Sequence, residues 1–282
     1  MASLNPEALK RERKTAGLTQ KELAKESGVA YSTLTKLEQG KIPSPSVTAI
    51  HNIAGALGCT VADLIDGQKL QVSGSDKVKF VYFDIGGVLV HWLPSLHTFA
   101  ERIHRPYDAV LKLFHEYNGA VCRGNMTAEE FKLLCLLKLG VDVKDGGHDR
   151  AMQSWITDMR PVLPTHELIK EVSNHHQVGL LTNLGKGYFE EFIDRELVPE
   201  IKYKTVVKSC DLGLVKPEHE MYAVATEAAG VDPGEILFVD DSKVNVKAAT
   251  DFGWHAEWFD EYDPHESISR IVKRHFSAKP AA

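Results

Sequence analysis

Asp84, Thr182, Lys216 and the pair Asp240-Asp241 stand far apart in the chain, yet their types complement one another. A carboxylate offers a nucleophile, a threonine hydroxyl a hydrogen-bond donor, a lysine a cation, and paired aspartates a site for a metal ion. Gly86-Gly87 follow Asp84 almost at once. Glycines there let the backbone turn tightly and bring N–H groups close to an anion.

The surrounding residues indicate how these groups are placed. Val78 to Phe83 is a short apolar run, rich in β-branched and aromatic residues, that predicts a buried strand ending at Asp84. Gln177 to Leu181 predicts a second strand, ending in Thr182-Asn183. Glu235 to Val239 predicts a third, ending in Asp240-Asp241 with Asn245 shortly after. Lys216-Pro217 follows a Gly-containing turn. Open α/β sheets bind ligands at the carboxyl ends of their strands, so one sheet edge is expected to collect all five groups.

FDIGGVLV around Asp84, LLTN with Thr182, Lys216, and FVDDSKVN with Asp240 and Asp241 resemble, in order, the four motifs of the haloacid dehalogenase (HAD) superfamily. The resemblance covers about residues 76–275. It implies an α/β Rossmann-like core with a parallel sheet and a Mg²⁺-dependent attack by Asp84 on a small phosphorylated metabolite. A divalent metal offsets the repulsion between carboxylate and phosphate. Its implied ligands are Asp84, the Gly86 carbonyl, Asp241, and Asp240 directly or through water. Lys216 and Thr182 would stabilise the phosphoryl charge, with Gly86, Gly87 and Asn183 beside the substrate. The helical pattern between Val90 and Gln177 (expected helices 95–103, 107–118, 127–139 and 149–159) resembles the all-helical cap of one subclass, placed at about 93–165. His91, Trp92 and Arg123 are expected to line the pocket.

One position departs from the family pattern. Phosphatases of this kind usually carry an acid/base Asp two residues after the nucleophile, where this chain has Gly86. Three readings stay open: a surrogate acid such as His91, a substrate with a good leaving group, or a domain that binds a phospho-ligand without turning it over, acting as a sensor. Dehalogenases of the superfamily also lack that Asp but need no metal, and the Asp240-Asp241 pair favours phosphate over halide.

Residues 1–70 read differently, as short helices at about 5–15, 19–27, 30–39, 46–57 and 61–64. Thr19 and Glu22 have capping-box spacing, and Gly28 marks a turn. LTQKELAKESGVAYSTLTKLEQGK closely resembles the Cro and phage-repressor (XRE) family over residues 7–65. The resemblance implies double-stranded DNA as partner, with helix 30–39 in the major groove. Tyr31, Ser32, Thr33 and Lys36 would stand at the DNA, and Gln20 would hold a phosphate. A homodimer on an inverted repeat is expected.

The predicted organisation is an all-α helix-turn-helix domain (1–66), a polar linker (67–77), and a HAD-like α/β domain with an inserted helical cap (78–282). The first 70 residues carry a net charge of +2 and the rest −8, so a nucleic-acid partner is expected for the first quarter only. Four cysteines without Cys-x-x-Cys spacing argue against a disulfide framework or zinc site and suit a reducing cytoplasm. No apolar run approaches the roughly 18 residues of a membrane span.

Overall fold

A computed structural model describes residues 4–42, 45–59, 61–65, 72–75, 77–141 and 156–276. The chain divides into two units, Met1–Leu70 and Gln71–Ala282. Of the expected linker, 67–71 and 76 lie outside the described residues. Val72 is buried and the Ser73 amide donates to the Phe276 carbonyl at 2.9 Å, so this part of the segment is packed into the second unit.

The first unit is built from α1 (Pro6–Thr15), α2 (Gln20–Ser27), α3 (Tyr31–Glu38), α4 (Val47–Leu57) and α5 (Val61–Ile65). Local sequence sets the boundaries. The Asn5 side chain accepts from the Glu7 and Ala8 amides at 2.9 and 3.2 Å. Thr19 and Glu22 close a reciprocal capping box at the start of α2, and Gly28 ends that helix in the left-handed region at φ 67°. Leu9, Leu23, Leu34, Leu37, Ile53 and Leu64 are fully buried and form the core.

A charged network ties α1, α2 and α3 together. Glu38, only 2% exposed, accepts from Arg13 Nε at 2.6 Å, Arg13 Nη2 at 3.1 Å and Gln20 Nε2 at 2.7 Å. Arg13 Nη1 also donates to the Leu18 carbonyl at 2.9 Å. Burial alone would raise Glu38, but these donors hold its carboxyl below the ordinary value.

The second unit has a five-stranded parallel sheet. In chain order its strands are β1 (Phe80–Phe83), β4 (Gln177–Thr182), β5 (Thr205–Lys208), β6 (Ile236–Asp240) and β7 (His255–Trp258), and their spatial order is β5-β4-β1-β6-β7. β1 is central, with Phe83 opposite Leu180 of β4 and Val239 of β6. It is buried throughout, as the apolar run requires. Tyr82 stacks on Trp254 at 5.6 Å between ring centroids and donates through its hydroxyl to the Ala225 carbonyl at 2.8 Å. The edge strands β5 and β7 were not visible as apolar runs, because an edge strand needs no continuous hydrophobic stretch.

A short antiparallel pair, β2 (Val90–His91) with β3 (Arg160–Pro161), frames the helical insertion. The insertion contains α6 (Leu93–Arg102), α7 (Tyr107–Cys122) and α8 (Ala128–Lys138). The fourth helix expected at 149–159 falls mostly on 142–155, outside the described residues. Among the described residues no helix is long and apolar enough to cross a membrane.

The turn after β1 depends on Gly87. Its φ is 71°, and a Cβ there would overlap the Asp241 carboxylate. Two predictions follow from these packing constraints. Glu38→Ala leaves Arg13 without its carboxylate and should destabilise the first unit by about 3–5 kcal/mol in chemical denaturation. Because the folded-state value of Glu38 is depressed, its contribution is complete above about pH 4.5 and declines as pH falls through the folded value. Gly87→Ala should cost at least about 1–2 kcal/mol from the left-handed backbone alone, read as a lower thermal midpoint. An unchanged midpoint would show that the turn tolerates a side chain.

Candidate active site

Parallel register places the carboxyl ends of β1, β4 and β6 side by side, and each ends in a polar residue. Asp84 follows β1, its amide donating to the Val239 carbonyl of β6 at 2.9 Å. Thr182 closes β4 and Asp240 closes β6. Lys216 enters from the loop that follows α11 (Ser209–Leu212). Its ammonium lies 2.9 Å from Asp84 Oδ2 and 2.7 Å from Asp240 Oδ2, and it donates to the Leu181 carbonyl at 2.9 Å. Burial alone would lower the lysine, but Asp240 and Asp84 more than reverse this and hold it charged.

Two asparagines fix this arrangement. The Asn183 amide pairs with the Lys216 backbone in both directions, accepting from its N–H at 2.8 Å and donating to its carbonyl at 2.9 Å. Asn183 was expected beside the substrate; instead its side chain holds the lysine loop. Asn245 Nδ2 lies 3.0 and 3.2 Å from the two Asp240 oxygens, and the Ser242 amide donates to Asp240 Oδ1 at 2.8 Å. The FVDDSKVN motif contains both groups, with Ser242 capping α13 (Lys243–Asp251).

The turn after Asp84 separates its two glycines. Gly87 N–H donates to the Val90 carbonyl at 2.9 Å, so this amide, expected to face substrate, is engaged in the turn. Gly86 N–H and carbonyl make no hydrogen bond among the described residues. Nor does the Thr182 hydroxyl, although the residue is buried. Ile85 N–H donates to Asp84 Oδ1 at 2.7 Å.

Asp84, Asp240 and Asp241 can each offer an oxygen within 4.8 Å of the others. Asp240 is already occupied by Lys216, Asn245 and Ser242, whereas the Asp241 carboxylate has no hydrogen-bond or ion-pair partner among the described residues. Desolvation and the Asp84 and Asp240 charges push Asp241 up to about 8. Desolvation likewise raises Asp84 to about 7, Lys216 opposing it and Asp240 adding to it. A crowded all-oxygen site with one lysine among three carboxylates, and with a free backbone carbonyl at Gly86, fits a hard divalent cation such as Mg²⁺.

The remaining pocket expectations have different outcomes. His91 Nδ1 lies 3.3 Å from Glu261 Oε2, a residue the motifs did not mark. Arg123 grips the lysine loop from the cap: Nη1 donates to Gly213 O at 2.9 Å and Glu218 Oε2 at 3.1 Å, and Nη2 bonds Glu218 Oε1. The same Glu218 accepts from the Val215 amide at 2.9 Å. Arg123 therefore braces the loop bearing Lys216. Trp92 abuts Gly86 and stacks on Phe114 of α7, with ring centroids 4.9 Å apart.

In the first unit, Tyr31, Ser32 and Lys36 of α3 are exposed and Thr33 is half-buried. Gln20 gives one amide hydrogen to Glu38 at 2.7 Å, which leaves its second N–H for another acceptor.

Residues 9–64 match the helix-turn-helix family and residues 78–253 the family described as haloacid dehalogenase-like hydrolase. Acyl-CoA dehydrogenase family member 10 of Mus musculus is 28% identical over 200 residues, covering 65% of this chain, and the aligned region is 18% of that protein's length. A HAD family enzyme of Bacteroides thetaiotaomicron, solved in complex with magnesium and inorganic phosphate, has a TM-score of 0.52 at 23% identity, over 64% of this chain and 94% of that one. The L-2-haloacid dehalogenase of Xanthobacter autotrophicus, with chloropropionic acid covalently bound, scores 0.52 at 18% identity, over 71% and 85%. Such likenesses show the fold and leave the substrate to be argued from the site. The chain belongs to the haloacid dehalogenase-like hydrolases and carries a helix-turn-helix DNA-binding domain ahead of the hydrolase domain.

Proposed function

We propose that the protein is a transcriptional regulator whose hydrolase domain cleaves a small phosphorylated metabolite in a Mg²⁺-dependent reaction. The unpartnered Asp241 carboxylate beside Asp84 carries the choice of phosphate over halide. An excess of negative charge would hinder a dehalogenase, whereas it suits a site that takes a cation together with phosphate. Asp84, Asp241 and the Gly86 carbonyl would hold Mg²⁺, with Asp240 behind them. Bound there, the ion would offset phosphate charge and polarise a phosphoryl oxygen.

The chain's own groups have the following roles. An Asp84 oxygen attacks phosphorus as the bond to the leaving oxygen breaks, giving an aspartyl phosphate and freeing the organic product. Water then attacks phosphorus and regenerates the carboxylate with release of inorganic phosphate. Lys216 keeps Asp84 oriented and neutralises charge between it and the phosphoryl group. The Thr182 hydroxyl and Gly86 N–H are donors for phosphoryl oxygens. The cap excludes water from the reacting centre.

The absence of a carboxylate at position 86 supports a second reading, in which the domain binds a phospho-ligand without turnover and regulates DNA binding. A turnover assay on aryl, acyl and sugar phosphates with and without Mg²⁺ separates the two. Under the enzyme reading, chelation abolishes turnover and Asp84→Asn lowers it by more than about 10³-fold with the fold unchanged, as for loss of other covalent nucleophiles. Wild-type activity in Asp84→Asn would move the chemistry elsewhere.

For the first unit we propose a dimer reading an inverted repeat through α3. Affinity should fall steeply with salt as counterions are released from phosphates. Lys36→Ala should weaken specific binding by about 1–3 kcal/mol in mobility-shift titrations. Binding indifferent to both salt and Lys36 would rule this surface out.

A further inference from the structure

The proposal concerns the place left by the missing acid, and it rests on the phosphatase reading. A Cβ built on Gly86 would lie 3.3 Å from Trp92 Cδ1 and 3.5 Å from Trp92 Nε1. The edge of the indole therefore fills the direction in which a side chain at 86 would project. Gly86 lies outside the left-handed region, so backbone conformation does not demand a glycine there. A side chain at 86 would need the neighbouring indole to give way by a few tenths of an ångström.

The Trp92 N–H makes no hydrogen bond among the described residues. Two other tryptophans contrast with it: Trp254 Nε1 donates to Thr226 Oγ1 at 3.0 Å, and Trp258 Nε1 to the Asp241 carbonyl at 2.7 Å. Trp92 is half-buried, and its N–H is not one of the buried polar groups left without a partner, so this donor is open to solvent and to a ligand. The ring is also held firmly. It stacks on Phe114, which meets Phe131 edge-on at 6.2 Å, and the Trp92 carbonyl accepts from the Ser95 amide and hydroxyl at 3.0 and 2.5 Å. Trp92 comes two residues after Val90, which is bridged to Gly86. A stacked indole with an open N–H donor thus stands beside the turn that follows Asp84.

We propose that Trp92 is a catalytic residue whose indole N–H donates a hydrogen bond to the leaving-group oxygen. It takes the position of the absent acid without transferring a proton, since indole is a donor only. In the first step the Asp84 oxygen forms its bond to phosphorus. The bond from phosphorus to the leaving oxygen breaks with its electron pair on that oxygen. The product departs as an anion held by the indole N–H and takes a proton from solvent after release. The substrate class follows: aryl, enol or acyl phosphates, whose leaving groups are stable as anions. Alkyl phosphates, including sugar phosphates esterified at an alcohol, need a proton and are poor substrates.

The test uses the full chain with ¹⁵N-labelled tryptophan. The sequence has four tryptophans and so gives four indole signals. Trp92 is identified by its disappearance in Trp92→Phe and independently by its proximity to Phe114. Mg²⁺ with orthovanadate is the probe, because a vanadate oxygen can stand where the leaving oxygen departs. The Trp92 N–H signal should move downfield on saturation while the Trp254 signal stays in place. Trp92→Phe keeps the stack on Phe114 and should slow phenyl phosphate turnover by about 10²-fold, the scale for loss of one donor to a developing oxyanion. The effect on 4-nitrophenyl phosphate should be smaller, its leaving group being less basic. Saturable vanadate binding that leaves the Trp92 signal unmoved overturns the proposal while sparing the phosphatase reading. So does alkyl phosphate turnover that matches aryl turnover and depends on His91. Absence of vanadate binding, together with no turnover, removes the phosphatase reading and the proposal with it.

Discussion

The second unit is organised around one buried cation. Lys216 is 3% exposed and meets two carboxylates and a strand carbonyl. Removing a lysine and two aspartates from water costs several kcal/mol per ion, recovered only if geometry and hydrogen bonding are complete. Adjacent parallel strands deliver Asp84 and Asp240 at one level. Asn183 holds the lysine backbone, and Asn245 with Ser242 occupies the remaining positions on Asp240. Asp241 lies outside this closed set, so it is the carboxylate left available to a ligand.

The support extends to the cap. Arg123 reaches Glu218 and the Gly213 carbonyl, and Ser209 Oγ donates to the Cys122 carbonyl at 2.6 Å. Gly124 lies so close to the Cys210 carbonyl that a Cβ would approach it to 2.6 Å. The cap helix α7 therefore ends on the segment that leads into Lys216. Packed backbone and a two-pronged ion pair thus tie the cap to that loop.

Much of this was legible from sequence, for a definite reason. Buried parallel strands need continuous apolar runs, and FVYF, VGLL and ILFV have them, so their polar ends could be placed at one edge. The capping box at Thr19 and the glycine at 28 similarly mark helix boundaries by local hydrogen bonding and backbone conformation alone. What sequence did not convey was which polar atoms are already occupied. Asn183 and the Gly87 amide looked available because motifs record residue types, not partners. The Gln20 contact with Glu38 was equally hidden, because Glu38 lies 18 positions away in the chain and next to it in the fold. Glu261 and the role of Arg123 depend on contacts between distant segments, and no local pattern carries them.

The hydrogen bond from Ser73 to Phe276 has a consequence of another kind. It joins Ser73 to Phe276, near the first and last described residues of the second unit. The described part of the unit therefore begins and ends at neighbouring positions. It can be grafted whole, or reopened elsewhere by circular permutation with a short join from 276 to 72, without disturbing the order of its strands. Joining a DNA-binding domain to such a module requires no rearrangement of the sheet or the reacting centre. That is a physical reason why the two functions can coexist in one chain.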